Sequence, residues 1–177
     1  AALAMVETGT APGVGEHRIA IEIIDLDTDA VRTVWSGQGY WEQCALAWSP
    51  DGRLLVASYE GLDEALTTTI VVDAATGRVV ATVADRMPLA NPHGVWIGPD
   101  EFFALSEADN LAAAIHVDRT TGRTSERSWR RSNLAGYLSA GNRRYVRSAT
   151  YPAGSHVTEL YTTDLDDSNP RLLLRIS

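Results

Sequence analysis

The sequence predicts an all-β fold built from repeated four-stranded antiparallel units. Two observations support this: short apolar runs alternate with tight-turn residues, and the same markers return at a nearly constant interval. The clearest unit runs from Cys44 to Val83, with Ser-Pro-Asp-Gly at 49–52 and Ala-Thr-Gly at 75–77. β-Branched and aliphatic residues favour pleated strands, whereas proline and glycine favour the turns between them. The strands expected in this unit are Ala45–Trp48, Leu54–Ser58, Thr68–Val72 and Arg78–Val83.

An aspartate that ends the third strand of the unit recurs along the whole chain. It stands at Asp25, Asp73, Asp118 and Asp164, at intervals in the mid-forties. The first turn recurs in phase with it, as Gly-Pro-Asp-Glu at 98–101 and Ser-Ala-Gly-Asn at 139–142. A period of this length with four strands per unit is typical of a β-propeller blade. The sequence therefore predicts a propeller-type array of about four blades, near residues 1–37, 44–83, 93–129 and 134–177.

The other blades follow the same template. An alanine-rich run at 111–117 has helical propensity, but its place in the repeat favours a strand. The strands expected in the third and fourth blades are Gly94–Ile97, Phe102–Ser106, Ala112–Val117, Thr124–Trp129, Leu134–Leu138, Arg144–Ala149, Val157–Thr163 and Arg171–Ile176.

The first blade is expected to lack its innermost strand. Leu3–Glu7, Ile19–Ile24 and Val31–Trp35 match the second, third and fourth strands of the template, with only Ala1 and Ala2 before them. Open sheet edges promote aggregation, and repeat arrays need covered ends. We therefore expect the chain to be a segment of a longer propeller, or to pair with another chain or with itself. A self-contained four-bladed ring is the alternative.

The turn segments resemble known propeller repeats. Leu46-Ala-Trp-Ser-Pro-Asp-Gly-Arg-Leu-Leu-Val-Ala-Ser is similar to the blade repeat of TolB-like propellers. Ile70-Val-Val-Asp-Ala-Ala-Thr-Gly-Arg-Val-Val-Ala-Thr-Val resembles the repeat of YVTN-type, lactonase-like propellers, and Pro92-His-Gly-Val-Trp-Ile-Gly-Pro-Asp has a similar pattern. WD40 repeats match less well because the Trp-Asp dipeptide is absent from every unit. The resemblance implies a propeller used for protein contacts or, less often, for small-molecule chemistry on one face.

Charge and composition narrow the range of partners. The chain has 177 residues and a net charge of −8, from 15 basic and 23 acidic side chains. A field of that sign opposes phosphate binding, so nucleic acid is not an expected partner. No apolar run reaches the length of a membrane span, and Cys44 is the only cysteine, which excludes an intrachain disulfide. The sequence indicates no cofactor and no particular compartment.

The longer connections between strands carry aromatic and polar side chains. Loops over a rigid scaffold are common recognition surfaces. Ordinary polar loops with scattered aromatics explain the same composition, and both interpretations remain open. The candidate binding residues are Tyr40, Trp41, Glu42, Tyr59, Glu60, His93, Asp109, Asn110, Tyr151 and His156.

His93 and the aspartate-rich turns raise two chemical hypotheses. His93 precedes an innermost strand, so it could act with Glu42 and Glu60 as a metal ligand or general base. No second ligand follows it at a fixed spacing, which favours a structural histidine, and we assign no metal site or catalytic residue. Asp25-Leu-Asp-Thr-Asp spaces oxygen ligands as a calcium loop would. Aspartates that cap a β-turn explain it better.

The sequence thus favours a non-catalytic binding or scaffold module that makes protein contacts. One alternative is a lactonase-like or other hydrolase with its site at the channel mouth. Another is a structural propeller segment of a larger enzyme. No nucleophile elbow, zinc-protease motif, phosphate loop or dinucleotide fingerprint occurs in the sequence.

Overall fold

The computed structural model describes residues 2–10, 17–39, 46–61, 67–88, 95–106, 111–130, 136–138, 144–150, 158–164 and 168–176. Within these ranges every regular element is a β-strand, and the strands form four antiparallel sheets. This confirms the predicted fold class.

The first two sheets are each built from strands that are consecutive in the chain. The first has the order β1-β2-β3, from β1 (Ala2–Thr10), β2 (His17–Asp25) and β3 (Val31–Gln38), so its described part has no innermost strand, as predicted. The second has the order β4-β5-β6-β7. Its strands are β4 (Ala47–Trp48), β5 (Leu54–Glu60), β6 (Thr67–Asp73) and β7 (Val79–Ala84).

The third sheet contains one strand that the sequence did not predict. Met87–Pro88 was expected to lie in a loop, but it forms β8 and pairs with Leu105 and Ala104 of β10. The predicted innermost strand covers only the other end of β10, so β8 supplies partners for backbone groups that would otherwise be unpaired. Proline is tolerated here because β8 is an edge strand. The remaining strands are β9 (Trp96–Gly98), β10 (Glu101–Leu105), β11 (Leu111–Val117) and β12 (Thr124–Arg130).

The alanine-rich segment is strand β11, as the repeat predicted. Its backbone pairs with β10 on one side and β12 on the other. Ala112, Ala113 and Ala114 are buried, so packing between sheets outweighs the helical propensity of alanine. The fourth sheet has the order β13-β14-β15-β16, from Gly136–Leu138, Arg144–Thr150, Thr158–Asp164 and Arg171–Ile176.

The second sheet is buried on both faces. Alternate residues of β5 point to opposite neighbours: Leu54 and Val56 pack into a core shared with the third sheet. Leu55 and Ala57 pack into a core shared with the first sheet. A strand covered on both faces reads as a continuous apolar run rather than an alternating one. The first three sheets are therefore stacked face to face in chain order, as blades of a propeller are.

Candidate functional site

The antiparallel order gives each sheet two distinct ends. The short turns that join β4 to β5 and β6 to β7 leave from one end, which we call the turn end. The connection from β5 to β6 leaves from the opposite end, which we call the loop end. The same alternation holds for the third sheet, where β10 and β11 are joined at the loop end across residues 106–110.

Aspartate side chains close the turn end. Asp73 accepts hydrogen bonds from the Thr76 hydroxyl and backbone N–H, both at 2.8 Å. Asp118 accepts from the Thr121 hydroxyl at 2.7 Å and the Thr120 N–H at 2.8 Å. These threonine hydrogen bonds hold the pKa of both carboxyl groups below the usual value. The repeated aspartate is therefore a turn cap.

The hydrogen bonds of the turn at residues 25–29 do not support the hypothesis of a calcium loop there. Asp25 Oδ1 accepts the Asp27 N–H at 2.9 Å, the bond expected of a turn-capping aspartate. Asp164, at the equivalent place in the fourth sheet, accepts from the Asn169 amide at 2.7 Å. In the part of the chain that the structure describes, no three His, Cys, Asp or Glu side chains lie close enough together to hold a metal ion.

An arginine joins two sheets at the turn end. Arg119 forms ion pairs with Asp51 of the second sheet, at 2.9 Å, and with Asp100 of its own sheet. Burial raises the pKa of Asp51, but hydrogen bonds from Ser49 and Arg119 outweigh this and lower it overall. Burial also lowers the pKa of Arg119, and its hydrogen bonds to Asp51 and Asp100 more than reverse that effect. The Pro-Asp turns of neighbouring sheets are thus linked electrostatically.

Of the ten candidate binding residues, the structure describes Tyr59 and Glu60. Both end β5 at the loop end and are half-buried. The Tyr59 ring lies against Trp35 of the first sheet, with ring centroids 5.2 Å apart. Tyr59 therefore belongs in part to the core between the first two sheets. The other candidates lie outside the described residues: Tyr40, Trp41, Glu42, His93, Asp109, Asn110, Tyr151 and His156.

A charged cluster that the sequence analysis missed lies where the chain passes from the second sheet to the third. Arg86 donates from Nε and Nη2 to the two carboxylate oxygens of Glu126 on β12, at 3.1 and 2.9 Å. It also forms an ion pair with Asp85, at 3.3 Å. Ser106 donates to Asp85 at 2.9 Å, and Thr69 donates to the Arg86 carbonyl. The adjacent Asp85-Arg86 pair directly after an outer strand was the available signal.

Buried hydroxyl side chains accompany this cluster near the loop end. Ser58, Thr69 and Ser106 interrupt the apolar pattern of β5, β6 and the end of β10. Thr69 and Ser106 are hydrogen-bonded to the cluster, whereas the Ser58 hydroxyl has no hydrogen-bond partner among the described residues. Arg86 forms ion pairs with both Asp85 and Glu126. The cluster is therefore suited to holding the connection between the second and third sheets in place, and not to transferring protons.

None of the described segments is a helix long and apolar enough to cross a membrane. No protein-family profile matches the chain, and no curated protein matches its sequence.

Solved structures with a similar fold are β-propellers. The propeller domain of the Trilobed protease from Pyrococcus furiosus has a TM-score of 0.62 and 12% identity, over 98% of this chain and 53% of that domain. An acylaminoacyl peptidase from Pyrococcus horikoshii has a TM-score of 0.60 and 13% identity, over 98% of this chain and 31% of the peptidase. TolB from Acinetobacter baumannii has a TM-score of 0.51 and 14% identity, over 88% of this chain and 37% of TolB.

These likenesses establish the fold: the chain forms blades of a β-propeller, the fold that it shares with these structures. The chain spans about half the length of the Trilobed protease propeller, and less of the other two proteins.

Proposed function

We propose that this chain is a non-catalytic propeller module that binds a protein or peptide at its loop end. The observation that carries the proposal is the difference between the two ends. At the turn end, short turns are closed by aspartates, and Arg119 pairs with carboxylates there. The connections that pass from one sheet to the next leave from the loop end, and eight of the ten candidate binding residues stand in the sequence between strands that meet there.

The stacked sheets favour this use of the loop end. One apolar core joins the first sheet to the second beneath the connections, and another core, together with the Arg86–Glu126 pair, joins the second sheet to the third. Binding residues on loops are positioned well when the elements that carry them are rigid. Aromatic side chains such as those at 40, 41 and 151 offer a large contact area for a protein surface.

A second candidate is a propeller that forms part of a larger peptidase. It is favoured by the similarity to the propeller domain of the Trilobed protease and to an acylaminoacyl peptidase. In that case the chain would have a structural role beside a catalytic domain. The hydrolase hypothesis built on Glu42, Glu60 and His93 has only Glu60 in the described part, and no observation there favours it.

Selection of peptides on the purified chain tests the proposal. A phage-displayed random peptide library would be selected on the wild-type protein, and the dissociation constants of the selected peptides measured by fluorescence anisotropy. We expect Tyr40→Ala and Trp41→Ala to weaken binding at least about tenfold, the loss typical of an interface hot spot. Arg53→Ala, an exposed change at the turn end, is the matched control and should leave binding within about twofold.

The same experiment separates the candidates. Selected peptides that ignore the loop-end substitutions, or a chain that selects none, would contradict the binding proposal and favour a structural segment. Hydrolysis of a lactone or ester that disappears in His93→Ala would contradict the non-catalytic assignment.

A further inference from the structure

The outermost strands of three sheets share one irregularity. In β3 the pairing with β2 steps from Thr33 to Trp35, which leaves Val34 as an extra, bulged residue. The pairing of β7 with β6 leaves Val80 in the same position, and that of β16 with β15 leaves Leu173. The register of β12 has no such step over its described length.

Two of the three bulged residues are covered by the next sheet. Val34 and Val80 are each only 6% exposed, because the second sheet packs on Val34 and the third on Val80. Leu173 is 53% exposed, and its neighbours Leu172 and Leu174 are 48% and 49% exposed. Leu173 and Leu174 thus lie uncovered where their equivalents in β7, Val80 and Ala81, form a core, whereas Val79, the equivalent of Leu172, is itself exposed. We call Leu172–Leu174 the leucine face.

A glycine of the next sheet packs against the backbone of each covered bulge. Gly77 has φ +73°, and a Cβ there would lie 2.4 Å from the Val34 carbonyl oxygen. Gly122 has φ +72°, and its Cβ would lie 2.5 Å from the Val80 carbonyl oxygen. Contacts this short are not tolerated, so a bulge of this kind accepts a neighbouring turn only if glycine occupies the left-handed position.

An arginine two residues before each covered bulge makes a second contact with the next sheet. Arg32 donates to the Ala74 carbonyl, and Arg78 donates to the Arg119 carbonyl at 3.3 Å. Both acceptors directly follow the turn-capping aspartate of the next sheet. Arg171 stands two residues before Leu173 and is exposed. The fourth sheet therefore carries both parts of the pattern, the bulge and the arginine.

A second copy of this chain is a poor match for the leucine face. The sheet that it would offer is its first, and the left-handed position of that turn is held by Asp29, with φ +56°. If that sheet docked on β16 as the second sheet packs on β3, the Cβ of Asp29 would clash with the Leu173 carbonyl oxygen, as a Cβ at Gly77 would clash with the Val34 carbonyl oxygen.

We propose that the leucine face is the docking surface for a further blade of the same propeller, joined to this chain. That blade has glycine at the left-handed position of the turn between its third and fourth strands. In that complex Leu173 is buried like Val80, and Arg171 donates to the carbonyl that follows the turn aspartate. This inference does not depend on the proposed binding function.

A fusion protein tests the proposal. A second copy of residues 89–130, which contains Gly122, would be appended after Ser177. Hydroxyl-radical footprinting by mass spectrometry would report oxidation of the leucine face. We expect oxidation to fall several-fold towards the level at Val80, and to stay at the wild-type level when the appended glycine is replaced by aspartate. Unchanged oxidation beside an appended blade that hydrogen exchange shows to be folded would overturn the proposal, as would equal protection by both fusions.

A variant of the chain itself provides a test that does not need the appended blade to fold. With Asp29→Gly, the first sheet of a second copy becomes compatible with the bulge. Sedimentation velocity should then show self-association that Leu173→Asp abolishes, while the wild type shows none. A wild-type dimer that Leu173→Asp dissociates would identify the second copy as the occupant and overturn the proposal. Absence of association in Asp29→Gly would overturn the glycine requirement.

Discussion

Gly122 lies in close contact with the neighbouring sheet, so its replacement should cost more than that of a left-handed glycine usually does. Gly122→Ala pays about 1–2 kcal/mol for the left-handed backbone and about 1–3 kcal/mol more for the clash with the Val80 carbonyl. Gly52 is the matched control, because it also has positive φ but has open space around a built Cβ. Gly52→Ala should lose only the stability that the left-handed backbone conformation costs an alanine. Urea unfolding measures the free energy of unfolding of both variants. Equal losses would show that the contact of Gly122 with the Val80 carbonyl adds nothing to stability.

The capping aspartates predict a stability that falls in acid. The pKa of Asp73 and of Asp118 is lower in the folded protein than the unfolded value of 3.8. Between the two values the unfolded chain binds more protons, so the free energy of unfolding rises with pH. Their contribution is present above the unfolded pKa and is lost as pH falls through the folded pKa. Asp73→Asn with Asp118→Asn should flatten this part of the stability curve, measured by urea unfolding from pH 2 to 6. A curve as steep as that of the wild type would contradict the capping role.

At the scale of elements, the Arg86–Glu126 pair should couple the second and third sheets. The Arg86 and Glu126 side chains are 14% and 31% exposed, and their contact has the two-pronged geometry that favours arginine. A double-mutant cycle with Arg86→Ala and Glu126→Ala should give a coupling free energy of about 1 kcal/mol in urea unfolding. The control cycle pairs Arg86→Ala with Glu22→Ala in the first sheet, and its coupling should be near zero. Equal couplings in the two cycles would mean that the contact does not join the sheets.

The sequence predicted the strands well because repeat position resolved what local propensity left open. The alanine-rich run at 111–117 is the clearest case, since the period placed a strand where composition alone permits a helix. Met87–Pro88 was missed because proline signals a break, and only the free edge of β10 explains why this segment pairs. The bulges at Val34, Val80 and Leu173 were missed as well, because a bulge depends on register across two strands.

The candidate site was less predictable than the fold. Tyr59 was interpreted as a binding residue from its place before a loop, but its ring also packs on Trp35, a contact that requires two sheets to meet. The Arg86 cluster joins residues about forty positions apart in the chain. Such contacts follow from the stacking of blades and have no local signature in sequence.

At the scale of the whole molecule, the first three blades are held by a repeated contact of bulge, glycine and arginine on both sides of the second sheet, which is covered on both faces. This arrangement places β5 and β6 deepest in the stack, while β16 presents the exposed leucine face. Local opening is least favourable where both faces are packed.

Native-state hydrogen exchange followed by mass spectrometry tests this stacking most directly. Backbone amides of β5 and β6 should exchange slowest of the described strands, close to the rate set by global unfolding, and those of β16 should exchange by local opening at much lower free energy. Amides of β5 and β6 that exchange as fast as those of β16 would contradict the stacked-blade account.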